Sequence, residues 1–217
     1  MTSEDAEVII SLACKDICGM PSDNLLDLIQ KDSLLVIEEE TGARKEIFAI
    51  GIAEDRVKHG ERVRIVTSRS REDITSLMAL YSMQVPDTLE IVSTPHPTDS
   101  ALFSGEWGLL IVDRFPLLVL DQSDRWLNDM LLRLAAMART GKTVVILLDL
   151  GVLSTAREQV IRTLADGIIQ FRQMMEGDRV RWYLQIPKMR GSLPIDHLWY
   201  ITITDEGIAV DTRERHG

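Results

Sequence analysis

The 217-residue chain is 45% hydrophobic and 27% charged, the balance of a globular protein with material for one large core. A formal net charge of -10 and a pI of about 4.9 oppose phosphate backbones, so nucleic-acid binding is not expected without local basic clusters. No apolar run approaches the roughly 18 residues that span a bilayer, and residues 1–7 lack the basic flank of a signal peptide; a cytoplasmic protein with no membrane part is expected.

Residues 1–30 read as helical and mixed in polarity, interrupted at Gly19-Met20-Pro21-Ser22. Leu25, Leu26, Leu28 and Ile29 predict that the second half packs on the main body. This N-terminal helical extension would precede a domain over 31–217. Cys14 and Cys18 share a helix face with Ile10 and Ile17. With no segment to supply two more ligands, they read as small buried side chains and not as zinc ligands.

Ser33-Leu34-Leu35-Val36-Ile37 is a continuous apolar run, as in a strand buried on both faces. A helix over 45–57 follows and stops near Gly60. Strand 63–67, helix 72–83, strands 89–92 and 109–112, helix 124–139, strand 143–148 and helix 155–164 continue the pattern. Such alternation predicts a parallel, doubly wound sheet. Then 167–171, 180–187 and 198–204 read as strands without intervening helices, with turns at Glu176-Gly177-Asp178 and Asp205-Glu206-Gly207. The expected class is α/β, with a mostly parallel sheet extended by antiparallel C-terminal strands.

Ligands bind such sheets at the carboxyl ends of the strands. The first strand runs through Glu38-Glu39-Glu40-Thr41-Gly42-Ala43-Arg44-Lys45-Glu46 into a helix, and strand 109–112 ends in Asp113. Together with Leu164-Ala165-Asp166-Gly167-Ile168-Ile169, Lys188-Met189-Arg190-Gly191-Ser192 and the lead-in from Gly19, these segments resemble the KaiC-like branch of the RecA/RadA family of P-loop ATPases. The resemblance covers roughly Gly19 to the C-terminus. It implies a RecA-like three-layer α/β/α domain, with nucleotide near Thr41, Gly42, Ala43, Arg44, Lys45, Glu46, Asp113 and Asp149. Asp113 would hold the magnesium-bound water, and Asp149 stands where the family has a polar sensor. Lys188 and Arg190 would reach a neighbouring subunit's phosphates in a ring.

The departures from the family pattern are as informative as the matches. A phosphate loop reads G-x-x-x-x-G-K-[ST]; aligned on Lys45, this chain has Glu39 and Arg44 for the glycines and Glu46 for the hydroxyl residue. Carboxylates at Glu38, Glu39, Glu40 and Glu46 would repel a tetra-anion, each like-charge pair by about 4 kcal/mol at 4 Å and an effective dielectric of 20. The family's water-orienting glutamates have no counterpart in Val66-Thr67-Ser68-Arg69-Ser70-Arg71. The expectation is a protein that is not an efficient ATPase, with no assigned catalytic residue. Arg44 and Lys45 would pair with neighbouring glutamates, in a regulatory or signal-transduction role with a second copy or another protein. The alternative is an ATP-binding ATPase in which ATP and Mg2+ are bound and Glu46 ligates magnesium. A recombinase-like DNA-binding role is a third reading.

Other groups carry less. His59, His96, His197 and His216 have no ligand spacing, and no serine sits in a nucleophile elbow. Trp182, Tyr183, Trp199 and Tyr200 read as packing residues. Arg62, Arg64, Arg69 and Arg71 form the densest basic cluster, a candidate for partner or nucleotide contact.

Overall fold

The computed structural model describes residues 8–9, 29, 31–40, 42–83, 85–191, 198–204 and 207–216. In chain order the elements are β1 (Val8–Ile9), β2 (Leu34–Glu39), α1 (Arg44–Lys58), β3 (Val63–Thr67), α2 (Arg71–Leu80), β4 (Leu89–Ser93), α3 (Asp99–Phe103), β5 (Leu109–Val112), α4 (Phe115–Val119), α5 (Asp124–Ala138), β6 (Thr143–Asp149), α6 (Thr155–Leu164), β7 (Gly167–Glu176), β8 (Arg179–Met189), β9 (Leu198–Thr204) and β10 (Gly207–His216).

One ten-stranded sheet runs in the order β1-β10-β9-β8-β7-β2-β6-β5-β3-β4. From β7 to β4 the strands are parallel; from β7 to β1 each pair is antiparallel. The central strands are buried on both faces, and their side chains divide by parity. Leu35, Ile37, Ile65, Ile111, Val145 and Leu147 pack with Ile47, Phe48, Ile52, Ile74 and Met78 of α1 and α2. Leu34, Val36, Leu110, Val112, Val144 and Ile146 pack with Leu127, Leu131 and Leu134 of α5 and Ile161 of α6. The result is the expected three-layer α/β/α fold with an antiparallel extension.

Hydroxyl residues start most of the helices. Ser70 forms a capping box with Asp73 at α2, and Thr98, Ser123 and Ser154 accept an N–H at α3, α5 and α6. Such caps satisfy backbone donors that the helix leaves unpaired. The N-cap residue of α1, Ala43, offers no side-chain acceptor.

Several expectations are corrected. Val8–Ile9, within the stretch read as helical, is a strand whose backbone pairs with β10; the rest of 1–28, with Cys14, Cys18 and the Gly19 lead-in, lies outside the described residues. The β7–β8 hairpin extends to Glu176 and Arg179, beyond the apolar run, because backbone ladder bonds continue where the side chains face solvent. Helices α3 and α4 were not expected; each has only five residues, too short for a 3.6-residue period to show. No helix among the described residues is long and apolar enough to cross a membrane.

Candidate functional site

The parallel strands β2, β5 and β6 end together, and the first turn of α1 reaches their carboxyl ends, where Lys45 meets Asp149 and Glu46 meets the Arg69–Asp113 pair. Strand parity sends Glu39 to the α1 side of the sheet, as it sends Leu35 and Ile37. Glu39 is fully buried. Its Oε2 accepts the backbone N–H groups of Arg44 at 3.1 Å and Lys45 at 3.2 Å, and Oε1 accepts from the Arg44 guanidinium at 3.4 Å. The preceding strand therefore supplies the cap that Ala43 lacks, and its negative charge sits at the positive end of the helix dipole. Gly42 makes room for it: φ is +135°, and a Cβ there would collide with the Glu39 carboxylate.

Lys45 is buried at the centre. Its Nζ lies 2.7 Å from Asp149 Oδ1, 3.3 Å from Glu46 Oε1 and 4.0 Å from Glu39 Oε2, and it donates to the Gly42 carbonyl at 3.3 Å. Burial works against its charge, but the three carboxylates outweigh burial and raise its pKa. Arg44 leaves the cluster sideways, its guanidinium 3.4 Å from the centroid of the Trp182 ring, a cation–π contact.

On the other side of Lys45, the Arg69 guanidinium bridges Glu46 Oε1 at 2.8 Å and Asp113 Oδ2 at 3.2 Å. The Asp113 contact is electrostatic and not an aligned hydrogen bond, since Arg69 Nε has no hydrogen-bond partner. Thr67 sets this geometry: its hydroxyl donates to Asp113 Oδ2 at 2.7 Å and accepts the N–H of Arg69 at 3.0 Å. Four carboxylates (Glu39, Glu46, Asp113, Asp149) meet three cations (Arg44, Lys45, Arg69), leaving one surplus negative charge. Glu46 Oε2 and Asp113 Oδ1 are buried without a hydrogen-bond partner.

The model described as "Family of unknown function (DUF7125)" matches residues 29–216. The chain belongs to the DUF7125 family. No curated protein matches it. Among solved structures, the KaiC-like protein of the hyperthermophilic archaeon Pyrococcus horikoshii superposes with a TM-score of 0.70 at 18% identity, over 84% of this chain and 91% of that one. The flagellar accessory protein FlaH of Methanocaldococcus jannaschii superposes with a TM-score of 0.74 at 16% identity, over 84% and 91%. The DUF7125 chain therefore has the RecA-like P-loop ATPase fold.

Of the residues expected around a nucleotide, the structure brings together Gly42, Arg44, Lys45, Glu46, Asp113 and Asp149, with Ala43 at the helix start. Thr41 lies outside the described residues. Glu38 is a correction: parity turns it to the opposite face, where it accepts from Arg162 Nε of α6 at 2.7 Å. The basic cluster is also corrected. Arg62 meets Glu106 at the surface, and Arg64 is buried against Glu90 and the carbonyls of Ala101 and Ser104. Only Arg69 joins the site. Lys188 donates to the Arg162 and Thr163 carbonyls at the end of α6, and Arg190 to Asp166 and the Asp32 carbonyl.

A magnesium–triphosphate does not fit this arrangement. The Glu39 carboxylate holds the first N–H groups of α1, Arg69 lies between the carboxylates that would face a metal, and Glu39 and Glu46 would repel a tetra-anion. A cleft of about 360 Å³ opens nearby, lined by Glu40, Gln170, Arg172 and Trp182 among others, but neither Lys45 nor Asp113 lines it.

The cluster has a pH signature. Burial raises the Glu46 pKa above its ordinary 4.5, and Asp113 adds to this while Lys45 and Arg69 oppose it. Folded Glu46 thus holds a proton more tightly than the unfolded chain does. Its contribution to stability is fully present below pH 4.5 and is lost as pH rises through the folded value. Glu46→Gln is expected to flatten part of that fall in urea titrations run at successive pH values. Part of the slope should persist, because burial also raises Glu38. Equal slopes in the two proteins would show that Glu46 does not titrate in this way.

Proposed function

We propose that this chain is a non-catalytic, KaiC-like member of the RecA fold that serves as a regulatory or scaffolding partner of other proteins, itself included. The observation that carries the reading is the Glu39 carboxylate on the N–H groups of Arg44 and Lys45, where a phosphate would have to bind. Two features support it. Residues 68–71 offer no carboxylate or glutamine to orient an attacking water, and Arg69 has its charge satisfied within the chain. A fold built for ligand-driven switching would then present one fixed surface.

Calorimetric titration of the full chain with magnesium-ATP tests this. No saturable heat is expected at millimolar nucleotide. Saturable binding would overturn the proposal and return the chain to the ATP-binding class.

A further inference from the structure

Glu39 and Arg69 stand in two places of a P-loop site that are not interchangeable. One lies against the leading N–H groups of the helix and suits an oxoanion; the other lies between carboxylates and suits a cation. We propose that the chain carries its own ligand. The Glu39 carboxylate is a tethered substitute for a phosphate, the Arg69 guanidinium is a tethered substitute for a metal ion, and Glu39 is the group that keeps free oxoanions out. This rests on the proposed non-catalytic reading and adds which side chains fill the site and what would enter without them.

The match on the anion side is chemical. One oxygen of Glu39 accepts two successive backbone N–H groups, the other faces a guanidinium, and an ammonium lies 4.0 Å away. A phosphate oxygen requires the same donors. Gly42 is shaped to this occupant, since a side chain there would overlap the carboxylate. With Glu39 removed, the two N–H groups, Arg44 and Lys45 would form an unfilled anion seat enclosed by protein.

The cation side supplies an independent observation. Glu46 and Asp113 are 6% and 3% exposed, and each keeps one oxygen without a partner. Both line a cavity of about 10 Å³ walled otherwise by apolar side chains such as Ala49, Ile65 and Leu147, close to the smallest that holds a single water. The guanidinium therefore satisfies half of the available carboxylate oxygens. A compact divalent ion could use the others, because magnesium prefers carboxylate and water oxygen.

The test uses thermal unfolding of the full chain with sodium pyrophosphate and, separately, with magnesium chloride. Wild type is expected to show no shift with either. Glu39→Ala is expected to melt below wild type and to be restored by pyrophosphate, with binding about tenfold or more tighter than wild type. Glu39→Gln keeps the side-chain shape, so it covers the case in which the alanine variant does not fold; a smaller shift in the same direction is expected. Arg69→Ala should be stabilised by magnesium. A wild-type shift equal to that of the Glu39 variants, or no pyrophosphate effect on either variant, overturns the proposal. If those variants fail to respond while wild type also ignores magnesium-ATP, this inference falls and the non-catalytic reading stands. Wild-type binding of magnesium-ATP would remove both.

Discussion

Replacing Lys45 with alanine is expected to lower the unfolding free energy by about 3–5 kcal/mol in the complete absence of nucleotide, because it removes the buried ammonium that Glu39, Glu46 and the partly exposed Asp149 share. The side chain is 1% exposed and lies within 4.0 Å of Glu39, Glu46 and Asp149. Lys45 is the cation at Asp149, and without it Glu46 would depend on Arg69 alone. A loss of this size is a large part of the roughly 5–15 kcal/mol that holds a domain together. For a chain of this length it corresponds to about 6–20 °C in melting temperature. The check is a pair of urea curves with matched slopes, so that the midpoints report stability alone. A lysine kept for a ligand's phosphates behaves differently: its removal costs affinity and leaves the ligand-free protein within about 1 kcal/mol of wild type. The unfolding curve thus separates a structural lysine from a ligand-binding one without a ligand in the tube.

Much of this architecture was legible in the sequence, and the failures have physical causes. The central strands are apolar on both faces, so residues 34–37 and Leu109–Val112 stand out as continuous runs, and the family resemblance pointed to Lys45, Asp113 and Asp149. What spacing could not supply was the sign of each glutamate's effect. Glu38 and Glu39 look alike in a row of three, yet one pairs with Arg162 across the sheet and the other caps α1. The signal was present in the parity of the strand, since Ile37 and Glu39 must share a face; the partner Arg162, 124 residues away, was not readable. Arg69 was hidden differently. Counting arginines grouped it with Arg62, Arg64 and Arg71, but Arg62, Arg64 and Arg69 each reach a different carboxylate.

Two of the segments that carried the family resemblance beyond the loop, 164–169 and 188–192, meet each other, and this leads to the second large expected effect. Asp166 lies where α6 turns into β7. Its Oδ2 accepts the buried N–H of Leu34 at 2.9 Å, and Oδ1 accepts from Arg190 at 3.3 Å. Its own backbone is bonded to both partners: its N–H reaches the Leu34 carbonyl at 2.7 Å, and its carbonyl takes the Arg190 N–H at 2.8 Å. Gly167 permits the junction, since a Cβ would come within 2.6 Å of Leu35 Cδ2 and 2.8 Å of Met189 Sδ. Asp166→Ala should therefore cost about 2–4 kcal/mol, combining an orphaned buried donor with a lost charged hydrogen bond. Asp166→Asn keeps an acceptor for Leu34 and should recover most of that. Arg190→Ala should cost about 1 kcal/mol or less, because its side chain is 41% exposed. If Arg190 instead serves chiefly to hold a second copy, Arg190→Glu will change the mass measured by light scattering while Asp166→Asn will not. If neither changes it, the Lys188–Arg190 segment acts within one chain: it clamps β2 to the antiparallel extension and so holds the turn that leads into α1 and Lys45.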